Sequence, residues 1–276
     1  MTSDTPQALS PVSRTALSVA RVRAYESARP DALFVDPYAT AFVTAAGMEA
    51  AASRPGLSGL AKGLVAHGIL RTRFYDDRLL AAAADGAEQV VLLAAGLDTR
   101  AYRLDWPAGT RVFELDLDPV LDFKQTVLDD AGAVPVGHRT ALPADLLDPR
   151  WPERLVAAGF DPARRSAWLA EGLLVYFTAE EAAGLFTAVA ALAAPGSRLL
   201  LERGRDVSRT PHDPALAHVT GLWRGGLGPD THHWLDRHGW TAGLTALDQI
   251  ADSYGRPLSG PSTGGFIEAV RQHTAG

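Results

Sequence analysis

The chain is expected to fold as a doubly wound α/β domain around a mostly parallel sheet, and three observations predict this. The apolar run Val90-Val-Leu-Leu93 has the length and branching of a buried strand. It ends in Ala94-Ala95-Gly96, small residues that suit a sharp strand-to-helix turn and let another molecule approach the backbone. Asp116 follows twenty residues after Gly96, at the end of a second strand-like run, Arg111-Val-Phe-Glu-Leu-Asp116. From residue 89 onward, strand and helix patterns alternate.

Taken in order, residues 1–15 are polar and read as a flexible arm, followed by a helix over 16–28 that stops at Arg29-Pro30. Asp36-Pro37-Tyr38 reads as the start of a short helix with Pro37 at its first position. Residues 47–59 carry few signals and read as a loop before a long helix over 60–84. Together these make a helical N-terminal section, 1–85, ahead of the first strand.

The core, 86–203, then holds strands at 89–94, 111–116, 138–142, 167–170 and 198–202. A helix over 119–129 follows the second strand, and one near Pro152 precedes the fourth. Thr178-Ala-Glu-Glu181 is a capping box opening a helix to residue 194. Residues 204–240 are rich in Gly, Pro, Arg and His without a clean period, the mark of a functional lid inserted after strand five. A helix over 231–238 with Gly239 at C′ closes that segment. Strands at 240–245 and 265–270, with a helix over 247–254 between them, complete a seven-stranded sheet in 241–276. The whole of 1–276 is expected to form a single domain.

Four residues fall at corresponding places: Gly96 after strand one, Asp116 ending strand two, Asp145 after strand three and Glu171 after strand four. In an open parallel sheet these carboxyl ends line one crevice at the topological switch point. An acid twenty residues beyond the glycine turn is placed to bind the ribose hydroxyls of a nucleoside cofactor. The G-x-G-x-x-G pattern that a pyrophosphate favours is absent. S-adenosylmethionine (SAM) has no phosphate, so the residues favour it over NAD.

Each part of SAM then finds a residue. Asp116 suits the ribose, with Glu114 on the same strand face either a second ligand or a core-rim acid. Asp145 suits the adenine amino group, with Leu117 or Leu146 against the ring. Glu171 suits the ammonium, and Arg71 or Arg73 the carboxylate. For those arginines the alternative is a helix-surface charge with an i,i+4 acid, as in Arg73–Asp77.

Bulk composition narrows the class. With 276 residues, 47% hydrophobic, the chain can bury a large core. A formal net charge of −6 leaves no basic excess for nucleic-acid phosphates, so no nucleic-acid partner is expected. The absence of cysteine excludes disulfides, thiolate metal sites and a cysteine nucleophile, and no H-x-x-x-H-type spacing suggests a metal. No apolar run reaches the roughly 18 residues of a membrane span, and a cytoplasmic location is expected.

The same residues resemble the leucine carboxyl methyltransferase family, in its bacterial branch of SAM-dependent O-methyltransferases. The resemblance lies in Ala94-Ala-Gly-Leu-Asp-Thr-Arg-Ala-Tyr-Arg103, Val112-Phe-Glu-Leu-Asp116 with Lys124, Asp145-Leu146, and Leu169-Ala-Glu-Gly-Leu-Leu-Val-Tyr176. Further matches are Arg23-Ala-Tyr-Glu26, Asp36-Pro37-Tyr38, His238-Gly-Trp240 and Tyr254-Gly-Arg-Pro257, so it covers nearly the whole chain. It implies a Rossmann-like class I methyltransferase fold and SAM contacts at Arg71, Gly96 with its neighbour Ala95, Asp116, Asp145, Leu146 and Glu171. It also implies a basic contact near the N-terminus, at Arg21 or Arg23. Ala94 departs from a frequent family glycine, which reduces backbone room in the turn.

The reaction so implied is in-line methyl transfer to an oxygen, often a carboxylate, of a small molecule such as a secondary metabolite. A carboxylate is ionised near pH 7, so no general base is required. Tyr176 is the candidate catalytic residue, orienting the acceptor, and Arg203, Arg205 or Arg224 could assist. A phenol or alcohol acceptor would instead need a base, for which His212, His218, His232 and His233 are available. The other readings are an NAD-dependent oxidoreductase, disfavoured by the turn and by the lack of a Tyr-x-x-x-Lys pair, and a non-catalytic nucleotide-binding module. A protein C-terminus, the acceptor of the eukaryotic relatives, has no visible peptide groove to support it.

Overall fold

A computed structural model describes residues 10–48, 59–204, 206–209, 213–258 and 264–273. The expected seven-stranded sheet is present, in the order β3-β2-β1-β4-β5-β7-β6. Its strands are β1 Gln89–Leu93, β2 Arg111–Asp116, β3 His138–Pro143, β4 Ser166–Ala170, β5 Arg198–Glu202, β6 Trp240–Ala246 and β7 Gly265–Arg271. The first five pair in parallel, and β7 runs antiparallel between β5 and β6.

Strand parity explains the two-sided core. Val90, Leu92, Val112, Leu169 and Leu200 join one apolar cluster, while Val91, Leu93, Phe113, Trp168 and Leu201 join the other. Successive side chains alternate faces, so an uninterrupted apolar run such as 90–93 is legible as a strand covered on both sides. β1 and β4 are buried at every position.

The helices are α1 Pro11–Ser27, α2 Ala39–Ala45, α3 Gly59–Ala84, α4 Arg100–Arg103, α5 Asp118–Asp130, α6 Trp151–Ala157, α7 Ala179–Leu192, α8 Ala217–Thr220, α9 Thr231–Arg237 and α10 Leu247–Ser253. Leu17, Phe42, Leu70 and Phe74 from α1, α2 and α3 share the apolar cluster of Val90 and Leu92. The N-terminal helices therefore roof one face of the sheet. On α7, Thr178 accepts the Glu181 amide while Glu181 accepts the Thr178 amide, the reciprocal cap expected from the sequence. Gly239 follows α9 with φ +81°, the left-handed stop expected there.

Two local expectations need correction. Part of the N-terminal arm is helical: α1 starts at Pro11, with Ser10 accepting the Ser13 amide at 3.1 Å. A serine cap followed by proline at N1 is a strong start signal that the polar composition masks; residues 1–9 lie outside the described residues. Pro37 is not the first helical residue, because α2 starts at Ala39. The cause is Asp36, whose Oδ1 accepts the Tyr38 amide at 3.0 Å while Oδ2 accepts Arg23, so 36–38 forms a turn before the helix. Most of the 47–59 stretch, residues 49–58, lies outside the described residues. Among the described residues, no helix is long and apolar enough to cross a membrane.

Candidate active site

β1 and β4 are neighbours, yet their connections depart in opposite directions, and a crevice opens beyond their carboxyl ends. A cavity of about 270 Å³ occupies it, near the lower end of the roughly 300–1,000 Å³ usual for small-molecule sites.

The turn after β1 forms its floor. Ala95 and Gly96 line the cavity. Gly96 takes φ +51°, and a Cβ there would stand 3.3 Å from the Ala16 Cβ of α1, so the turn and the helix meet closely. Ala94 takes φ +49°, the single non-glycine with positive φ among the described residues. That conformation costs an L-residue roughly 1–2 kcal/mol. Ala94→Gly is therefore expected to raise unliganded stability by about 1 kcal/mol in urea denaturation. A loss would mean that packing of the Ala94 methyl outweighs the backbone strain.

Asp116 and Leu117 line the wall at the end of β2. Asp116 Oδ2 accepts the Gly96 amide at 2.6 Å and Oδ1 the Leu117 amide at 2.7 Å. Burial pushes this carboxyl up, and the two amides partly counter it. Each oxygen keeps a second lone pair, the acceptor pattern that a pair of ribose hydroxyls requires. The Ala144 amide donates to the Asp116 carbonyl at 2.8 Å, which sets Asp145 and Leu146 on the adjoining wall. Asp145 Oδ1 caps its own turn through the Leu147 amide at 2.9 Å, leaving Oδ2 without a partner among the described residues. Leu117 and Leu147 are 42% and 51% exposed, although both are large and apolar. They border the cavity where a flat aromatic ligand would cover them.

Glu171, after β4, lines the cavity with Arg71 of α3. Its Oε1 accepts Arg71 Nε at 2.9 Å and its Oε2 accepts Arg100 Nη1 at 2.7 Å. The sequence expectation of an acid for the SAM ammonium thus meets a carboxylate already held by two guanidinium groups. Burial alone would raise Glu171, but Arg100 and Arg71 together hold it at about 2, below the ordinary glutamate value of 4.5. A depressed acid contributes stability above its unfolded pKa and loses it as pH falls through the folded one. Glu171→Gln is accordingly expected to cost about 3 kcal/mol at pH 7. The cost should shrink as pH falls from about 4.5 towards 2; a pH-independent difference between the two proteins would refute the ion-pair account.

Arg71 also donates from Nη1 to Glu202 Oε1 at 2.8 Å. Its Nη2 has no hydrogen-bond partner among the described residues, so one arm remains for an anion in the cavity. Arg73 follows the surface reading, bonding Asp77 at 3.0 Å and the Leu33 carbonyl at 2.8 Å away from the cavity wall. Arg23 lines the cavity, but its Nε bonds Asp36 at 2.8 Å and its Nη2 the Leu97 carbonyl at 2.5 Å, tying α1 to the turn after β1. Arg21 is not in the wall. Glu114 proves to be the core-rim acid: fully buried, it pairs with Lys124 and Arg139 at 2.8 and 2.7 Å.

Tyr176 stands in a short 3₁₀ turn, Leu174–Tyr176, and lines the cavity with a hydroxyl that has no hydrogen-bond partner among the described residues. The described residues of 204–240 do not line this cavity. They pack on the Tyr176 turn instead, with the Arg224 amide on the Val175 carbonyl at 2.6 Å and the Gly226 amide on the Phe177 carbonyl at 2.8 Å. Arg224 pairs with Glu181 at 3.1 Å. Arg203, His218, His232 and His233 stand outside the wall, and Arg205 and His212 lie outside the described residues. α1 and its cap residue also line the cavity, through Ser10, Ser13, Thr15, Ala16 and Val19. No local pattern in the sequence places these residues at the site, nor Asp98 in the same wall. The Ser10-Pro11 cap signals only the helix start.

Comparison with known proteins gives the family and the fold. Residues 16–190 match the model of the leucine carboxyl methyltransferase family. A "Putative S-adenosyl-L-methionine-dependent methyltransferase" of Frankia alni is 49% identical over 266 residues, covering 95% of each chain. One of the same description from Streptomyces avermitilis is 42% identical over 94% of this chain and 95% of its own. Among solved structures, a methyltransferase-like protein from Thermobifida fusca superposes with a TM-score of 0.52 at 18% identity, over 84% of this chain and 94% of that one, a likeness of fold.

Proposed function

This chain belongs to the leucine carboxyl methyltransferase family and is a SAM-dependent methyltransferase, and from that premise we propose that it methylates a carboxylate oxygen of a small molecule. The observation that carries the reading is the scarcity of bases in the cavity wall, where the one described acid with an unpartnered oxygen is Asp145, which this reading gives to the adenine. Among its described residues there is no histidine or lysine. Glu171 and Asp98 are held by arginines, and Asp116 by two backbone amides. A phenol or alcohol must lose a proton as it is methylated, whereas an ionised carboxylate needs no proton acceptor.

The residues divide the work by position. Asp116 takes the ribose, Asp145 with Leu117, Leu146 and Leu147 takes the adenine, and the free arm of Arg71 takes the carboxylate of the methionine end. Held by these residues, SAM would supply an electrophilic methyl on a sulfonium, and its transfer to the carboxylate would leave a neutral thioether and a neutral ester. Tyr176, on the turn against which residues 224–226 pack, aligns the acceptor through its free hydroxyl, while α1, in the cavity wall, excludes water. The chemistry then rests on alignment and desolvation.

The test is a panel of small carboxylic acids and matched phenols, incubated with SAM and followed by mass spectrometry. A product one methyl heavier that mild alkali returns to the acid is expected. An alkali-stable ether formed from the phenols alone would overturn the carboxylate reading. Calorimetry with SAM and NAD should show binding of SAM alone.

A further inference from the structure

Glu202 ends β5 and does not line the cavity, yet two parts of the site converge on it. Its Oε1 and Oε2 accept the Gly172 amide at 2.8 and 2.9 Å, and Oε1 also accepts Arg71 Nη1 at 2.8 Å. Gly172 follows Glu171 with φ +64°, and a Cβ there would stand 3.1 Å from Arg71 Nη1. The turn backbone therefore lies against the guanidinium. The Arg71 side chain is 11% exposed and that of Glu202 14%, so both are largely removed from water.

A second acid beside Glu171 is costly if stability alone is at stake. Burial pushes the Glu202 carboxyl up, Arg71 opposes that, and neighbouring Glu171 adds to it. A well-packed apolar residue would serve the core as well or better. What a second carboxylate adds is orientation. One acid lets a guanidinium swivel about a single contact, whereas two acids on different edges fix its plane.

We propose that Glu202 is a positioning residue: with Glu171 it sets the plane of Arg71, so that the free Nη2 faces the carboxylate of SAM. The proposal rests on the reading of Arg71 as the partner of that carboxylate. Glu202 touches no ligand and acts only through Arg71 and the Gly172 amide.

The experiment is calorimetry on wild type, Glu202→Gln, Arg71→Ala and the double variant with two ligands, SAM and 5′-methylthioadenosine. The second keeps the adenosine and thioether but lacks the amino-acid end. Glu202→Gln is expected to weaken SAM about tenfold, the scale of one hydrogen bond to a charged group. Methylthioadenosine should change less than about twofold. In the Arg71→Ala background, Glu202→Gln should add almost nothing for SAM, because the group it positions is gone. Equal weakening of both ligands would reveal general loosening, and independent, multiplying effects of the two substitutions would show that Glu202 does not act through Arg71; either overturns the proposal. Should Glu202→Gln fail to fold, Glu202→Asp keeps the charge but shortens its reach, and the same selective loss is expected. Wild type that binds SAM while Arg71→Ala binds it equally well would overturn the Arg71 assignment itself, a separate outcome from failure of Glu202.

Discussion

Arg100→Ala is expected to remove about 4 kcal/mol of folding stability, or roughly 10 °C in Tm for a chain of this size. Arg100 is only 2% exposed. Its Nε bonds Asp76 at 2.7 Å, its Nη1 bonds Glu171 at 2.7 Å and also Asp98, and its Nη2 reaches the Thr72 carbonyl at 3.4 Å. Truncation leaves three acids without their shared cation. Arg103 still covers Asp76, at 2.6 Å, and Arg71 still covers Glu171, so the burden falls on Asp98. Asp98 is largely buried, and Arg100 is the largest influence opposing the effect of that burial. Arg100→Lys should recover little, since a point charge cannot fork among three partners. Urea denaturation gives the measurement; a loss below about 1 kcal/mol would show that the network does not hold the turn after β1 in place.

Asp116→Ala is expected to weaken SAM binding about 100-fold, the scale of two hydrogen bonds to a charged group. Two losses combine. The ribose loses its acceptor, and the Gly96 amide loses the anchor, at 2.6 Å, that fixes the turn. Among the described residues no cation bonds this carboxylate directly, so its removal should cost unliganded stability only the two amide contacts, about 1–2 kcal/mol. Asp116→Asn keeps one acceptor oxygen and should lose about tenfold. Calorimetry with SAM decides the matter: a change under about threefold for alanine would remove the ribose assignment.

The strands and their ends were readable because their signals are local. Val90 to Leu93 declare burial on both faces within four residues, and the Gly96–Asp116 spacing is one strand–helix–strand step. Parity also set Glu114 on the face shared with Asp116, but not whether it met ligand or core. That depended on Lys124 and Arg139, ten and twenty-five residues onward. Arg71 and Arg73 looked alike as helix residues two apart; only tertiary packing put Arg71 against Glu171 and left Arg73 with its i,i+4 partner. The position of α1 at the cavity and the role of Glu202 depend on contacts spanning much of the chain, for which no periodicity exists. Where the described residues of 204–240 fall relative to the Tyr176 turn was equally beyond any local pattern.

The sheet order sets a rule for biosynthesis. Among the described residues β6 pairs with β7 alone, and β7 comes later in the chain while wedging itself between β5 and β6. On the ribosome, β6 must wait unpaired until β7 has emerged, and β5 keeps an open flank over the same interval. Nascent chains halted before residue 265 should therefore be captured by chaperones or aggregate, even with every residue of the cavity wall already made. Completion of the cofactor crevice and solubility of the product are thus separated in time.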